Sequence, residues 1–264
     1  MTIRAFSFGC GVQSMAALVL AARREIDYPL FLFANVGADS ENPETITYYT
    51  ETAVPYAADN GIELVELHKV RRDGSRVTLL EHIRTANRSV PIPMRMSNGA
   101  PGNRQCTGDF KIAVVAKELK RRGASRADPA AVGLGISLDE FRRARADSRV
   151  PHETLEYPLI DRRMTRADCV TVIRDAGLPV PPKSACYFCP FQSPASFQRM
   201  RHDHPSRFQV VVGIEWLLTN RRQQLGKDAV YMTRFGRPLD EVTSDQMTLD
   251  LDDWDAECDG VCGL

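Results

Sequence analysis

Blocks of apolar residues alternate with amphipathic stretches through the first 70 residues of the chain. Residues 3–8 form a short apolar run, and residues 14–24 place most of their apolar side chains on one helical face. Residues 30–34 are continuously apolar, which is typical of a parallel strand covered on both faces. The pattern then predicts a helix over residues 44–60 and a further strand over residues 62–67.

The remainder of the chain is less regular. Residues 89–103 are rich in proline, glycine and polar residues, and they predict an irregular excursion near the site. A helix is expected over residues 106–122, and a strand over residues 132–137 that enters another helix. Thr165 is the predicted N-cap of a helix over residues 165–176. The last third of the sequence is predominantly helical in pattern.

Strands that alternate with helices favour a doubly wound parallel sheet, which is an α/β fold. We divide the chain into an α/β domain over residues 1–178 and a helical, cysteine-bearing region over residues 179–264. Ligands of such sheets bind at the carboxyl ends of the strands. The loops over residues 9–14 and 35–39 are therefore expected to lie at the binding edge.

Composition and charge narrow the choice of function. The 264 residues are 43% hydrophobic and 26% charged, as in an ordinary globular protein. No apolar stretch reaches the roughly 18 residues that a membrane span needs, and the amino terminus lacks a signal-peptide pattern, so we expect a cytoplasmic protein without a membrane partner. The net charge of zero argues against holding a long duplex by overall charge alone. Local arginine clusters at residues 71–72, 121–122, 142–145 and 162–166 leave nucleic acid open, although each also fits a solvated helix face.

A glycine-rich turn separates the first predicted strand from the first helix. The sequence from Ser7 to Ser14 reads Ser-Phe-Gly-Cys-Gly-Val-Gln-Ser. A turn of this kind presents backbone N–H groups and a helix dipole to a phosphate. It has neither the Walker spacing nor that of a dinucleotide fold, so a simple tight turn is the alternative interpretation.

Several motifs in one order along residues 3–200 strengthen the phosphate interpretation. The chain resembles the phosphoadenosine-phosphosulfate reductase-like branch of the PP-loop ATP pyrophosphatases, which includes relatives that act in DNA phosphorothioation and tRNA thiolation. The segments that carry the resemblance are residues 9–14, 35–37, 43–45, 106–111, 135–143 and 157–159, with the late Cys-x-x-Cys-Pro. The resemblance implies that residues 1–178 form a PP-loop nucleotide-binding domain.

The same resemblance implies a set of ligand-binding residues. Lys111 and Arg143 fall where phosphate contacts and catalysis are expected, with ATP and Mg²⁺ as cofactors. Gln13, Asn35 and Ser137 replace charged residues of the family pattern. These replacements favour ATP cleavage over strict reduction of a phosphosulfate nucleotide. The implied nucleotide-binding residues are Ser7, Gly9, Gly11, Gln13, Ser14, Asn35, Gly37, Gly135 and Glu140.

Seven cysteines in a chain of this type suggest metal binding or catalysis more than disulfides. Cys186 and Cys189 have a spacing that lets two thiolates reach one metal or cluster. The resemblance places Cys106 near the same sheet end, and Cys169 is a candidate fourth ligand or a small core residue. We favour a [4Fe–4S] cluster, with Zn²⁺ as the alternative.

The carboxyl-terminal tail holds Cys258 and Cys262 in an acidic sequence. Phosphosulfate reductases carry a nucleophilic cysteine in such a tail, and Glu257-Cys258 resembles part of their motif. Cys258 is therefore a candidate catalytic thiol, and the pair could also form a regulatory disulfide or remain unused.

These observations lead to one principal hypothesis and two alternatives. The principal hypothesis is an ATP-dependent, pyrophosphate-releasing sulfurtransferase that acts on nucleic acid, as in DNA phosphorothioation or tRNA thiolation. Its sulfur donor would be a protein such as a cysteine desulfurase. The first alternative is a reductase of adenylyl- or phosphoadenylyl-sulfate that uses Cys258. The second alternative is a zinc-stabilised, non-catalytic nucleic-acid-binding protein.

Overall fold

A computed structural model describes residues 2–85 and 90–244, which group into two compact units. The first unit contains residues 2–77 and 107–185, and the second contains residues 78–85, 90–106 and 186–244. The segment at residues 78–106 therefore groups with the later part of the chain, whereas the sequence-based division kept residues 1–178 together. No local sequence pattern marks this grouping, because it depends on contacts between distant segments.

Within the described residues of the first unit, five parallel strands form one sheet in the order β3-β2-β1-β4-β5. This arrangement, with helices on both faces, confirms the predicted doubly wound α/β fold. The strands are β1 (Arg4–Ser7), β2 (Leu30–Asn35), β3 (Glu63–His68), β4 (Ala130–Leu134) and β5 (Glu153–Glu156).

The helices alternate with these strands and then dominate the second unit. None of the described helices has the length and hydropathy that a membrane-spanning helix requires. They are α1 (Val12–Ala22), α2 (Pro43–Tyr48), α3 (Val54–Asp59), α4 (Leu79–Thr85), α5 (Gln105–Thr107), α6 (Ala113–Arg121), α7 (Pro158–Asp161), α8 (Arg166–Asp175), α9 (Pro194–Asp203), α10 (Pro205–Gln224) and α11 (Leu239–Val242).

Alternation of side chains along the strands builds a core on each face of the sheet. Phe6 and Phe31 lie on the face covered by α1 and α8, with their ring centroids 5.1 Å apart. Ala5, Leu30 and Leu32 lie on the opposite face, where α6 packs. Successive strand residues point to opposite faces, so a continuous apolar run supplies both cores.

Several predicted elements differ from the structure, since the helices expected over residues 44–60 and 106–122 each contain a π-helical segment and one strand has other ends. The helix predicted over residues 44–60 is present, but a π-helical segment at Tyr49–Ala53 separates α2 from α3. Pro55 lies at the start of α3 and has no backbone N–H, so the regular α-helical hydrogen-bond ladder cannot continue through it. The strand predicted over residues 132–137 is β4, which ends earlier, at Leu134.

The second unit is organised around α10, which contacts α4, α9 and α11. Glu215 on α10 is only 5% exposed, and its carboxylate accepts hydrogen bonds from Met232 N at 2.6 Å and Leu239 N at 2.7 Å. Burial raises the pKa of Glu215 to about 7, although the two backbone donors act in the opposite direction. This carboxylate therefore ties the segment after α10 and the start of α11 to the helix.

Candidate functional site

The strand order changes direction at β1, and the predicted phosphate loop begins where this strand ends. Strand β2 lies on one side of β1, and the later strand β4 lies on its other side. Ligands of open parallel sheets bind outside the carboxyl ends of the strands at such a switch point. The segments that follow β1 and β4 are therefore the expected place for a nucleotide site.

A glycine turn joins β1 to α1. Gly11 is the N-cap of α1, and the first turn of this helix contains no acidic residue. Ser14 Oγ accepts a hydrogen bond from Gly11 N and donates one to Gly11 O, each at 3.0 Å. Ser184 Oγ donates a hydrogen bond to Gly9 O. This anchored turn presents the positive end of the helix dipole, as an anion site requires.

In the glycine turn, Gly9 borders open space and Cys10 is buried in the core. A Cβ added at Gly9 would meet no atom within 4 Å. Cys10 is fully buried, and its Sγ lies 3.6 Å from Thr45 O. Burial, reinforced by the negative charge of Glu41, raises the pKa of the Cys10 thiol to about 12. Cys10 is therefore a protonated core residue, because a reactive thiol needs a lowered pKa.

Gln13, Glu140 and Arg143 form a hydrogen-bonded chain between the segments that follow β1 and β4. Gln13 Nε2 donates to Ser137 Oγ at 3.4 Å and to Glu140 Oε2 at 3.3 Å. Arg143 Nη1 donates to the same Glu140 oxygen at 2.6 Å. Gly135 suits this close approach, since an added Cβ would lie 3.3 Å from the backbone N of Ser14.

Arg166 joins this chain, although the sequence indicated it only as part of a basic cluster. Its Nη1 donates to Gln13 Oε1 at 3.1 Å, and its backbone N donates to the Asp139 carboxylate at 3.2 Å and 3.4 Å. Arg166 is the first residue of α8 and follows the confirmed N-cap Thr165. A basic residue after a helix cap was visible in the sequence, but Gln13 is 153 positions away.

The ion pair between Arg143 and Glu140 is shielded from solvent, with its side chains 18% and 19% exposed. Burial raises the pKa of Glu140, and the positive charge of Arg143 only partly offsets this effect. Arg143 Nε is buried without a hydrogen-bond partner in the part of the chain that the structure describes. Buried N–H groups are almost always hydrogen-bonded, so an anion oxygen would complete the coordination of this guanidinium.

Asn35 shapes the turn after β2. Its Oδ1 accepts a hydrogen bond from Gly37 N at 2.7 Å, and its Nδ2 donates to Glu66 Oε1 at 2.6 Å. Gly37 has a φ of 119°, a backbone conformation that favours glycine. His68 Nε2 lies 3.3 Å from Glu66 Oε1, and burial lowers the pKa of His68. The two predicted residues therefore fix the backbone at the end of β2, and their contact with a nucleotide stays a prediction.

Lys111 lies in a π-helical segment, Gly108–Ile112, between α5 and α6. This segment packs against β2. Within it, Phe110 is buried and lies under Lys69, whose Nζ is 4.3 Å from the ring centroid. The structure therefore places Lys111 beside β2, and Arg143 in the segment after β4. The phosphate-binding role of Lys111 stays a prediction.

Three of the predicted metal ligands, Cys106, Cys186 and Cys189, belong to the second unit. Cys189 N donates to Cys186 O at 3.0 Å, which closes a tight turn between the paired thiols. Gln192 Nε2 donates to Cys186 O at 3.0 Å and to Tyr187 O at 2.6 Å. The side chain of one residue thus holds the backbone of the Cys-x-x-Cys turn, and all three cysteines are partly exposed.

Cys169 has a different environment from these three cysteines. It belongs to α8 in the first unit, is fully buried in the core, and has its pKa raised to about 12, chiefly by burial. Across residues 2–85 and 90–244, no group of three or more His, Cys, Asp or Glu side chains is arranged to hold a metal ion. Cys258 and Cys262 lie outside the described residues.

No protein-family model and no curated protein matches this chain. Among solved structures, it is similar to the U34-tRNA thiolase NcsA from Methanococcus maripaludis with its [4Fe-4S] cluster. The two chains share 17% sequence identity over 81% of this chain and 71% of the other, with a TM-score of 0.42.

Proposed function

We propose that this protein is an ATP-dependent, pyrophosphate-releasing sulfurtransferase whose acceptor is a nucleic acid, as in DNA phosphorothioation or tRNA thiolation. The observation that carries the proposal is the chain of hydrogen bonds through Gln13, Glu140 and Arg143 at the switch point of the sheet. It joins the glycine turn after β1 to the segment after β4. A nucleotide triphosphate is a ligand whose negative charge suits the guanidinium of Arg143 and the amino-terminal end of α1 at this switch point.

Each part of the site has a role in binding the nucleotide. The amino-terminal end of α1 and the turn at Gly9 would receive a phosphate through backbone N–H groups. Arg143 would donate its buried Nε to a phosphate oxygen while Glu140 holds its Nη1. Arg166 orients Gln13 through the amide oxygen. Mg²⁺ would arrive with the phosphates, since this ion is commonly held by substrate oxygens and one or two carboxylates.

The reaction proceeds by adenylation followed by displacement. An acceptor oxygen attacks the α-phosphorus of ATP, the bond from this phosphorus to the bridging oxygen of the β-phosphate breaks, and pyrophosphate leaves. A sulfur nucleophile then forms a bond to the activated acceptor atom, and AMP departs with the original oxygen. Positive charge from Arg143 and the helix dipole stabilises the phosphate charge that builds up in the first step.

The cysteines of the second unit would handle the sulfur. Cys186 and Cys189 on their anchored turn, with Cys106, would supply three thiolates for a [4Fe–4S] cluster, although no three such side chains among the described residues are already grouped to hold a metal. Such a cluster, once bound, supplies an iron with an open position for sulfide. We leave Cys169 out of this ligand set, because its thiol is fully buried in the core of the first unit. A cysteine desulfurase is a suitable sulfur donor.

Gly9→Val tests the nucleotide site directly. The added side chain meets no protein atom within 4 Å at its Cβ, so the fold should persist while the space for a phosphate is filled. Wild-type protein is purified without oxygen and supplied with ATP, Mg²⁺, ³⁵S-labelled sulfide and bulk RNA or DNA. It should release pyrophosphate and transfer the ³⁵S label to the nucleic acid. The variant should do neither.

A matched control is Gly213→Val, whose added Cβ also meets no atom within 4 Å but lies on α10 in the second unit. It should retain both activities. Adenylyl-sulfate reduction without ATP cleavage would replace the proposal with the reductase alternative. A colourless protein that holds one zinc and cleaves no nucleotide would support the non-catalytic alternative.

A further inference from the structure

The segment after β4 carries both residues of the candidate site and exposed apolar residues. It forms a short 3₁₀-helical segment at Leu138–Arg143 that is interrupted by non-helical backbone at Glu140, where φ is −106° and ψ is 15°. Glu140 and Arg143 lie on the side that contacts Gln13. Leu138 and Phe141 belong to the same segment and are 37% and 56% exposed. A large apolar pair is thus presented to solvent next to the proposed nucleotide site.

Exposed arginines follow Phe141 closely in the sequence. Arg142, Arg145 and Arg149 are all exposed. Within residues 2–85 and 90–244, their side chains form no ion pair or hydrogen bond, unlike the neighbouring Arg143. Together with Leu138 and Phe141, these arginines define what we name the basic–aromatic strip.

The backbone beneath the basic–aromatic strip is held at Leu138 and at Arg145. Leu138 N donates to Met164 O at 2.7 Å. Tyr157 Oη accepts a hydrogen bond from Arg145 N at 2.8 Å and donates one to Arg145 O at 2.9 Å. The exposed side chains are therefore displayed on an ordered support, which lowers the entropy cost of binding.

We propose that the basic–aromatic strip binds a single-stranded stretch of the nucleic-acid acceptor, with Phe141 stacking on a base and Arg142, Arg145 and Arg149 contacting phosphates. This assignment rests on the proposed function for the identity of the acceptor. Interleaved aromatic and arginine side chains are the combination that holds single strands. The neighbouring Glu140–Arg143 pair places this strip beside the proposed site of adenylation.

The affinity for fluorescein-labelled 12-nucleotide RNA and DNA, measured at equilibrium, tests the proposed binding role of the strip without requiring catalysis. Phe141→Ala should weaken binding by roughly 5- to 150-fold, the range for loss of one stacked base. Arg142→Gln combined with Arg145→Gln should lower the slope of log affinity against log salt by about 1.4, because each phosphate contact on a single strand contributes about 0.7. Binding of either RNA or DNA supports the assignment, and their difference identifies the acceptor class.

Two control variants test whether any exposed residue would give the same result. Arg126→Gln removes an exposed arginine that precedes the amino-terminal end of β4, whereas the strip follows the carboxyl end of this strand. Trp216→Ala removes an aromatic side chain that is 67% exposed. Neither should change the affinity appreciably. The assignment is overturned if the wild type binds neither oligonucleotide or if the strip variants bind like the wild type. Pyrophosphate release without strip-dependent binding refutes the strip alone, whereas strip-dependent binding without pyrophosphate release refutes the proposed function alone.

Discussion

Arg143→Gln should weaken ATP binding while leaving the first unit folded. The guanidinium is paired with Glu140 at 2.6 Å, and its Nε has no hydrogen-bond partner among the described residues. A hydrogen bond to a charged group contributes about 1.5–3 kcal/mol. Loss of that contact therefore corresponds to roughly a 10- to 150-fold increase in the dissociation constant for ATP.

The same substitution should change how stability depends on pH. Burial already raises the pKa of Glu140, and removal of the Arg143 charge removes one of the effects that lower it. A carboxyl group whose pKa is higher in the folded state contributes stability at low pH and loses it as pH rises through the folded pKa. The stability that Arg143→Gln loses relative to wild type should therefore be larger at pH 8 than at pH 5.

Isothermal titration with Mg-ATP at pH 7.5 measures the affinity, and urea unfolding at the two pH values measures the stability. Arg143→Lys keeps the charge but not the planar guanidinium, so its affinity should fall between those of wild type and Arg143→Gln. Arg126→Gln removes an exposed arginine that precedes the amino-terminal end of β4, whereas the candidate site lies at the carboxyl ends of the strands. This variant should bind ATP with wild-type affinity. An unchanged affinity in a folded Arg143→Gln protein would refute the role given to this residue.

Three further outcomes follow from other parts of the structure. In protein purified without oxygen, Cys186→Ser should lower the iron content while Cys169→Ser leaves it unchanged; equal losses would restore Cys169 to the ligand set. Gly133→Val should destabilise the first unit by about 1–3 kcal/mol or more in urea unfolding, because even an added Cβ would lie 2.6 Å from the Phe6 ring. A variant as stable as the wild type would contradict this packing. Burial raises the pKa of Glu215 from 4.5 to about 7, so the free energy of unfolding should fall by about 3 kcal/mol as the pH rises from 4.5 to 7. Glu215→Gln should remove most of this pH dependence. A wild-type unfolding free energy that does not change with pH would contradict the buried carboxylate.

Local sequence signals predicted the elements well wherever short-range interactions decide them. The capping box of α8 lies within one helical turn, where Thr165 Oγ1 accepts from Asp168 N and Asp168 Oδ2 accepts from Thr165 N. The strand at Leu30–Asn35 was visible as one continuous apolar run. The π-helical segment Tyr49–Ala53 was not predicted, although Pro55 gave a signal for an irregularity in the helix.

The cysteines show where reasoning from spacing ends. Cys186 and Cys189 are three residues apart, and a single hydrogen-bonded turn brings their backbones together. Cys169 has no such local neighbour, and the sequence left its role open between ligand and core residue. Its complete burial follows from the packing of α8 against α1, which depends on segments about 150 positions apart.

The sequence by itself determined the doubly wound α/β class and the glycine turn before α1, because apolar periodicity and glycine placement act over a few residues. Only the tertiary structure decided that Arg166 holds Gln13, that Arg143 pairs with Glu140 beside it, and that Phe141 is exposed. These facts depend on how β1, β4 and α8 meet in space. Side-chain partners across such distances are set by packing of whole elements, which no local pattern records.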